Sequence, residues 1–101
     1  MNIDKTRMNY AWAHRSDPKY MKELVGYFQQ MASYFSHKFG ISIYYADDYM
    51  SESLDQAQRA LTNFNPNKST TYSYFYKVMS NSFRYSLRRD ARKRAKMPNM
   101  S

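Results

Sequence analysis

Residues 69–96 read STTYSYFYKVMSNSFRYSLRRDARKRAK. Phe75, Met79, Phe83, Leu87 and Ala91 recur at every fourth position, with Val78 alongside. That spacing places them on one face of a helix. Lys77, Asn81, Arg84, Arg88 and Arg92 fall on the opposite face. Neither Gly nor Pro interrupts the run, and Ser69, Thr70 or Thr71 can cap its start. The pattern predicts one long helix over about residues 71–95, whose apolar stripe calls for a second helix to pack on.

That second helix lies just upstream. Asn65-Pro66-Asn67-Lys68 is a turn, since Pro fixes φ and Asn tolerates unusual backbone angles. Before it, Met50, Leu54, Ala57, Leu61 and Phe64 form a stripe that predicts a helix over about 48–63. Asp47 and Asp48 are its candidate caps. Residues 41–46 are apolar and β-branched; they read as a connector, with a short strand as the other reading. Gly40 followed by Ile41 resembles a left-handed helix end. Upstream, Met21, Leu24, Val25, Phe28, Met31, Ala32, Phe35 and Phe39 mark a helix over about 18–39. Asp17-Pro18 opens it. Gly26 weakens it by about 1 kcal/mol relative to Ala and offers close packing. Residues 1–16 carry weak periodicity and read as a short helix or an arm, with Trp12 as a packing anchor. Residues 97–101 are a tail. The expected fold is a compact all-α domain over 17–96 with three main helices.

Charge is concentrated. Residues 77–96 hold eight Lys or Arg against one acid, Asp90, a net of +7 out of +8 for all 101 residues. A local cationic patch points to a polyanionic partner more strongly than diffuse basicity does. Cysteine is absent, so no disulfide or thiolate metal site exists. His14 and His37 lie far apart and read as ordinary surface or packing residues. No cofactor or metal is expected. The polar N-terminus and the lack of a long apolar run give the expectation of a cytoplasmic protein without a membrane partner.

Four rings, Tyr72, Tyr74, Phe75 and Tyr76, stand where the basic helix begins. Aromatic faces stack on unpaired bases and cations neutralise phosphates. Phe75 belongs to the apolar stripe, whereas Tyr74 and Tyr76 point elsewhere. Four of the eight acids, Asp47, Asp48, Glu52 and Asp55, gather in nine residues. They read as a solvated helix face or as a docking surface for a basic partner. No nucleophile or metal-ligand pattern joins them, so an enzyme is not expected.

Asp48-Tyr-Met-Ser-Glu52, then Arg59-Ala60-Leu61-Thr62-Asn63-Phe64-Asn65-Pro66, resembles conserved region 2 of bacterial sigma-70 family factors. Thr70-Thr71-Tyr72-Ser73-Tyr74-Phe75-Tyr76 is similar to the aromatic stretch that follows there. Leu61-Thr62-Asn63-Phe64, Ser73-Tyr74, Asn81-Ser82-Phe83 and Leu87-Arg88-Arg89-Asp90 resemble the late-transcription sigma factors of T-even-type bacteriophages, which hold little beyond region 2. The likeness spans about residues 20–96. It implies a minimal phage-type sigma factor acting in the infected bacterial cell. Asp48, Glu52, Gln56 and Arg59 would dock on the clamp helices of the largest subunit of a multisubunit RNA polymerase. Tyr72, Tyr74, Phe75, Tyr76, Lys77, Asn81, Arg84, Arg88, Arg89 and Arg92 would recognise a −10-like promoter element and hold its opened non-template strand. A coactivator is a further partner compatible with such a factor. Phe75-Tyr76 stands where the family has a tandem Trp pair, and the basic ending differs from the acidic clamp-binding tail of the phage factors. The other readings are an inhibitor or retargeting protein on the same polymerase, and a general basic nucleic-acid-binding domain.

Overall fold

A computed structural model describes residues 1–96, and for residues 95 and 96 the backbone alone; the tail at 97–101 lies outside the described residues. The order is α1 (Lys5–Ala13), α2 (Pro18–Lys38), α3 (Ile43–Ala60) and α4 (Thr71–Lys96), with no strand among the described residues. α3 and α4 form the most extensive pair, and α2 and α1 close the other sides of one core.

The helix boundaries have local causes. Asp17 caps α2 by accepting from the Lys19 amide at 3.0 Å, with Pro18 in the first turn. At the other end Gly40 has φ of 62°. The Gly40 amide donates to His37 O at 3.1 Å, and the Ile41 amide donates to Ser36 O at 2.9 Å. This paired closure is the Schellman arrangement, as the Gly-Ile signal predicts. α4 opens at Thr70, whose Oγ1 accepts from the Ser73 amide at 3.2 Å.

At the ends of elements one open reading is decided and one expectation is corrected. Of the two readings of residues 1–16, a short helix or an arm, the helix holds: α1 forms because Asp4 caps it and accepts from the Arg7 amide at 3.0 Å. It buries Met8 and Ala11 completely. α3 begins at Ile43 rather than near residue 48, because Ser42 is the cap and its Oγ accepts from the Tyr44 amide at 3.4 Å. The apolar run at 41–46 is therefore largely first-turn helix, and neither connector nor strand. Gly26 is corrected too: a Cβ there would meet nothing within 4 Å, so close packing does not require the glycine.

The core holds Leu24, Phe28, Met31, Ala32 and Phe35 from α2, Tyr49 and Ala57 from α3, Phe64, and Phe75, Met79 and Phe83 from α4. The α4 stripe is right through Phe83; Leu87 is half-buried and Ala91 exposed. The last two turns of α4 thus run past the core in a molecule 54 Å long and 24 by 20 Å across. On α3 the buried face is rotated from the expected one. Tyr49, Ser53, Ala57 and Ala60 are buried, while Met50, Leu54 and Leu61 are half-buried. Ser53 satisfies its own hydroxyl by donating to Met50 O at 2.8 Å, so a small polar residue occupies a core position without an unpaired group.

Candidate nucleic-acid interface

The start of α4 sends Tyr74 and Tyr76 to different sides and keeps Tyr72 with Tyr76, because residues two apart on a helix point about 200° apart and residues four apart share a face. Phe75 is fully buried, 4.7 Å from the Phe28 ring and 5.8 Å from that of Phe64. Its inclusion among DNA-contacting residues is corrected: it lies on the apolar stripe and its ring has no open face. Tyr74 leans against Phe64, with ring centroids 5.0 Å apart. Tyr76 turns away from it toward α2. Tyr74 and Tyr76 therefore both leave the apolar stripe but do not share one surface.

Tyr76 pairs instead with Tyr72, one turn earlier, at 5.7 Å between centroids. Around them lie residues that sequence reasoning missed. The Tyr34 ring is 6.3 Å from that of Tyr76. Lys38 Nζ donates to the Tyr76 hydroxyl at 3.2 Å, and sits 5.7 Å and 5.8 Å from the Tyr34 and Tyr76 ring centres. Lys5 Nζ lies 4.8 Å from the Tyr72 ring centre. Three helices thus contribute to one group of three half-buried tyrosines and two exposed lysines. A local signal for part of it exists: Tyr34 and Lys38 are an aromatic and a cation four apart on α2, off the apolar stripe. Lys5 has no such signal, because α1 docks on α4 only through tertiary packing.

The electrostatics of this group favour anions. The Tyr34 hydroxyl and the Lys38 ammonium hold the Tyr76 phenol below its ordinary value, and Tyr76 in turn raises Lys38. Burial pushes the Tyr72 phenol up. Lys38 stays cationic, and the half-buried rings lie beside two positive charges. Such a site can stack on a base and neutralise the phosphate next to it.

The basic face of α4 continues this surface. Lys77, Asn81, Arg84, Arg88 and Arg92 are all exposed. Arg84 reaches back over Phe39, 5.9 Å from the ring centre. Lys77, Arg84, Arg88, Arg92, Lys93 and Arg94 form no ion pair among the described residues. Arg89 differs from the rest of the expected set. It donates to Glu52 Oε1 at 3.0 Å and pairs with Asp90 at 3.3 Å, which turns it toward α3 and away from a free phosphate-binding role.

The expected docking residues divide in the same way. Asp48, Gln56 and Arg59 are exposed. Glu52 is engaged within the chain, accepting from both Ser86 Oγ and Arg89. Arg59 forms an exposed pair with Asp55 at 3.1 Å, a contact worth little in water. Beside Glu52, the Tyr49 hydroxyl donates to Asp90 Oδ2 at 2.5 Å. Burial and that bond push the Tyr49 phenol up to about 12. The acids near the basic helix therefore serve partly as its fastening. Trp12 is a packing anchor as expected, edge-on to Phe64 at 4.8 Å, with Arg15 stacked 4.0 Å from its ring centre.

No group of His, Cys, Asp or Glu arranged to hold a metal ion occurs among the described residues. Nor is any described helix long and apolar enough to cross a membrane. The fold and the surface together define a small all-α domain with an aromatic and cationic face. No protein-family model, curated protein or solved structure matches the chain.

Proposed function

We propose that this chain binds nucleic acid with unpaired bases, and does so as a reduced sigma-type specificity factor for a multisubunit RNA polymerase. The observation that carries the nucleic-acid reading is the Tyr72–Tyr76–Tyr34 group flanked by Lys5 and Lys38, continuous with the α4 cations Lys77, Arg84, Arg88 and Arg92, which form no ion pair among the described residues. Rings stack on bases freed from a duplex, and the arginines hold the backbone beside them. The sigma reading rests on the sequence resemblance at residues 48–66 and 70–76. In it, α3 docks on the polymerase clamp helices, and α4 captures the non-template strand of a −10-like element.

A second reading, a general basic nucleic-acid-binding domain, is favoured by one observation: Glu52, a member of the expected docking set, is turned toward α4. The two separate in one experiment. The chain is mixed with bacterial core RNA polymerase and tested for run-off transcription on a mixed phage and bacterial genomic template, with oligonucleotide binding measured alongside. Polymerase binding with new, discrete start sites supports the sigma reading. Polymerase binding that only suppresses transcription makes the chain an inhibitor. Oligonucleotide binding without polymerase binding leaves the general binder. Absence of oligonucleotide binding, alone and with polymerase, overturns the nucleic-acid reading.

A further inference from the structure

The first turn of α3 carries three consecutive large apolar side chains that the fold leaves in solvent. Ile43 is 85% exposed, Tyr44 88% and Tyr45 60%. At about 150–250 Å² for a whole aromatic side chain, these exposures leave on the order of 400 Å² of largely apolar surface per chain. Patches of about 300–600 Å² are often interaction sites. Three adjacent helical positions fan over about 200°, so a single helix laid against them covers only part. Beside this turn α4 ends. The hydrogen bonds from Tyr49 to Asp90 and from Ser86 to Glu52 show that α3 and α4 run antiparallel, so the start of one meets the end of the other. Tyr45 and Asp48 line one groove there with Lys93 and Arg94. The inner charges of the groove are committed within the chain, since Arg89 pairs with Glu52 and Asp90. The outer charges are not. Asp47, Asp48, Lys93 and Arg94 are exposed and form no ion pair among the described residues.

We propose that this turn is the contact between two copies of the chain packed about a two-fold axis, with Asp47 and Asp48 of each copy facing Lys93 and Arg94 of the other. The charge pattern selects the occupant. Free acids on α3 and free cations on α4, beside one apolar turn, make a patch that complements itself after a half turn. A two-fold contact requires that property. A basic segment would be repelled by Lys93 and Arg94, and a phosphate backbone by Asp47 and Asp48. A second copy also brings two elements, its own α3 start and α4 end, to cover the fan of side chains. The two apolar turns together supply about 800 Å², and the charged rims raise the contact to the roughly 1,000 Å² that a specific interface needs. This surface is separate from the Tyr72–Tyr76 group, and the inference does not depend on the polymerase reading.

Sedimentation equilibrium of the full chain without nucleic acid tests this, at about 0.15 M ionic strength so that the net charge of +8 is screened beyond about 8 Å. The parent should show a concentration-dependent monomer–dimer equilibrium. An Ile43→Ser, Tyr44→Ser, Tyr45→Ser variant should raise the dimer dissociation constant at least tenfold. Because these side chains are exposed, it should melt at nearly the parent temperature. Two charge variants decide the pairing. Asp47→Lys with Asp48→Lys makes the rim wholly cationic, and Lys93→Glu with Arg94→Glu makes it wholly acidic. Each should be monomeric alone, and the two mixed, one of them fluorescently labelled, should sediment together as a heterodimer. A parent that stays monomeric over its whole soluble range overturns the inference. If the serine variant of such a parent also loses affinity for a labelled single strand, the patch is a nucleic-acid contact instead. A dimer that survives the serine substitutions lies elsewhere on the surface and overturns it too. So do charge variants that each dimerise like the parent, or that are folded and stay monomeric when mixed.

Discussion

Replacing Tyr72 and Tyr76 by alanine tests recognition at rings that the structure places apart from Tyr74, with thermal melting read beside binding because Tyr76 also packs edge-on to Phe35 at 4.9 Å. Tyr72 and Tyr76 lie one turn apart with Lys5, Tyr34 and Lys38 around them. Each ring that stacks on a base contributes about 1–3 kcal/mol by alanine substitution, a factor of about 5 to 150 in affinity. The double variant should therefore weaken single-strand binding by about tenfold at least. Tyr74 presents no such group. It packs tilted against Phe64 and meets Phe75 edge-on at 5.1 Å, so Tyr74→Ala should lower stability through a lost aromatic contact of about 0.5–1.5 kcal/mol plus lost burial. The assay is fluorescence anisotropy of a labelled single strand and of a blunt duplex, with thermal melting by circular dichroism. The double variant should lose single-strand affinity more than duplex affinity. Tyr74→Ala should lose melting temperature more than affinity. A folded Tyr72, Tyr76 double variant that binds single strands as the parent does would refute the assignment of this group. So would a Tyr74→Ala chain that melts normally but has lost binding.

Removing Arg84, Arg88 and Arg92 together should flatten the dependence of log affinity on log salt by about 2 on single strands and about 2.7 on duplex, since each phosphate contact contributes about 0.7 or 0.9; an unchanged slope would show that this face touches no phosphates. Gly26→Ala should stabilise the chain by about 0.5–1 kcal/mol, because the position is mid-helix with open space around the added methyl, and an unchanged or lower melting temperature would contradict that. Gly40→Ala should destabilise by about 1–2 kcal/mol, because φ of 62° strains any residue with a Cβ. The Tyr49 hydroxyl and Arg89 hold Asp90 below the usual aspartate value. A depressed carboxylate adds stability above its unfolded pKa, about 3.9, that is lost as pH falls through the lower folded value. Urea unfolding at pH 6 and pH 3 should show a smaller acid loss for Asp90→Asn than for the parent, and equal losses would sink the argument.

The sequence disclosed what depends on local chemistry. The ends of α2 were legible from Asp17-Pro18 and Gly40-Ile41, because a cap and a left-handed glycine are decided by adjacent residues. The stripe of α4 was legible through Phe83, since its members are large and apolar. The start of α3 was not. Ile43, Tyr44 and Tyr45 look like core or strand material, and only the three-dimensional arrangement shows them in solvent. The rotated face of α3 was hidden because Ser53 and the hydroxyl of Tyr49 read as solvent-facing, yet both find partners inside the domain. The basic face was legible as a pattern, but the withdrawal of Arg89 was not, because its partners Glu52 and Asp90 include one 37 residues away. The same holds for the aromatic group. Its α4 members were visible in the sequence, while Lys5 and Lys38 reach it from other helices.

The position of Asp90 explains how α4 can both pack and present charge. Beyond Phe83 the helix loses its fully buried apolar anchors, and among the described residues Leu87 is the one apolar side chain that stays half-buried. The turns that carry Arg88, Arg92, Lys93 and Arg94 repel one another and have little apolar area to hold them down. What fastens them is polar. Tyr49 donates to Asp90, and Ser86 and Arg89 donate to Glu52, so two acids bind this part of α4 to α3. Asp90 is the single acid among the charges of residues 77–96, and it is spent on this fastening and leaves the outer face wholly cationic. The arrangement accounts for Glu52 as well. Its carboxylate holds Arg89 toward α3, so the helix keeps one face for packing and the other for an anion. Cutting the fastening with Glu52→Gln and Tyr49→Phe should loosen the last turns of α4 while the apolar core stays closed. Hydrogen exchange should then quicken at amides near residues 86–94 and stay slow near 75–83. Uniform quickening across α4 would mean that the core, not the polar pair, holds the whole helix.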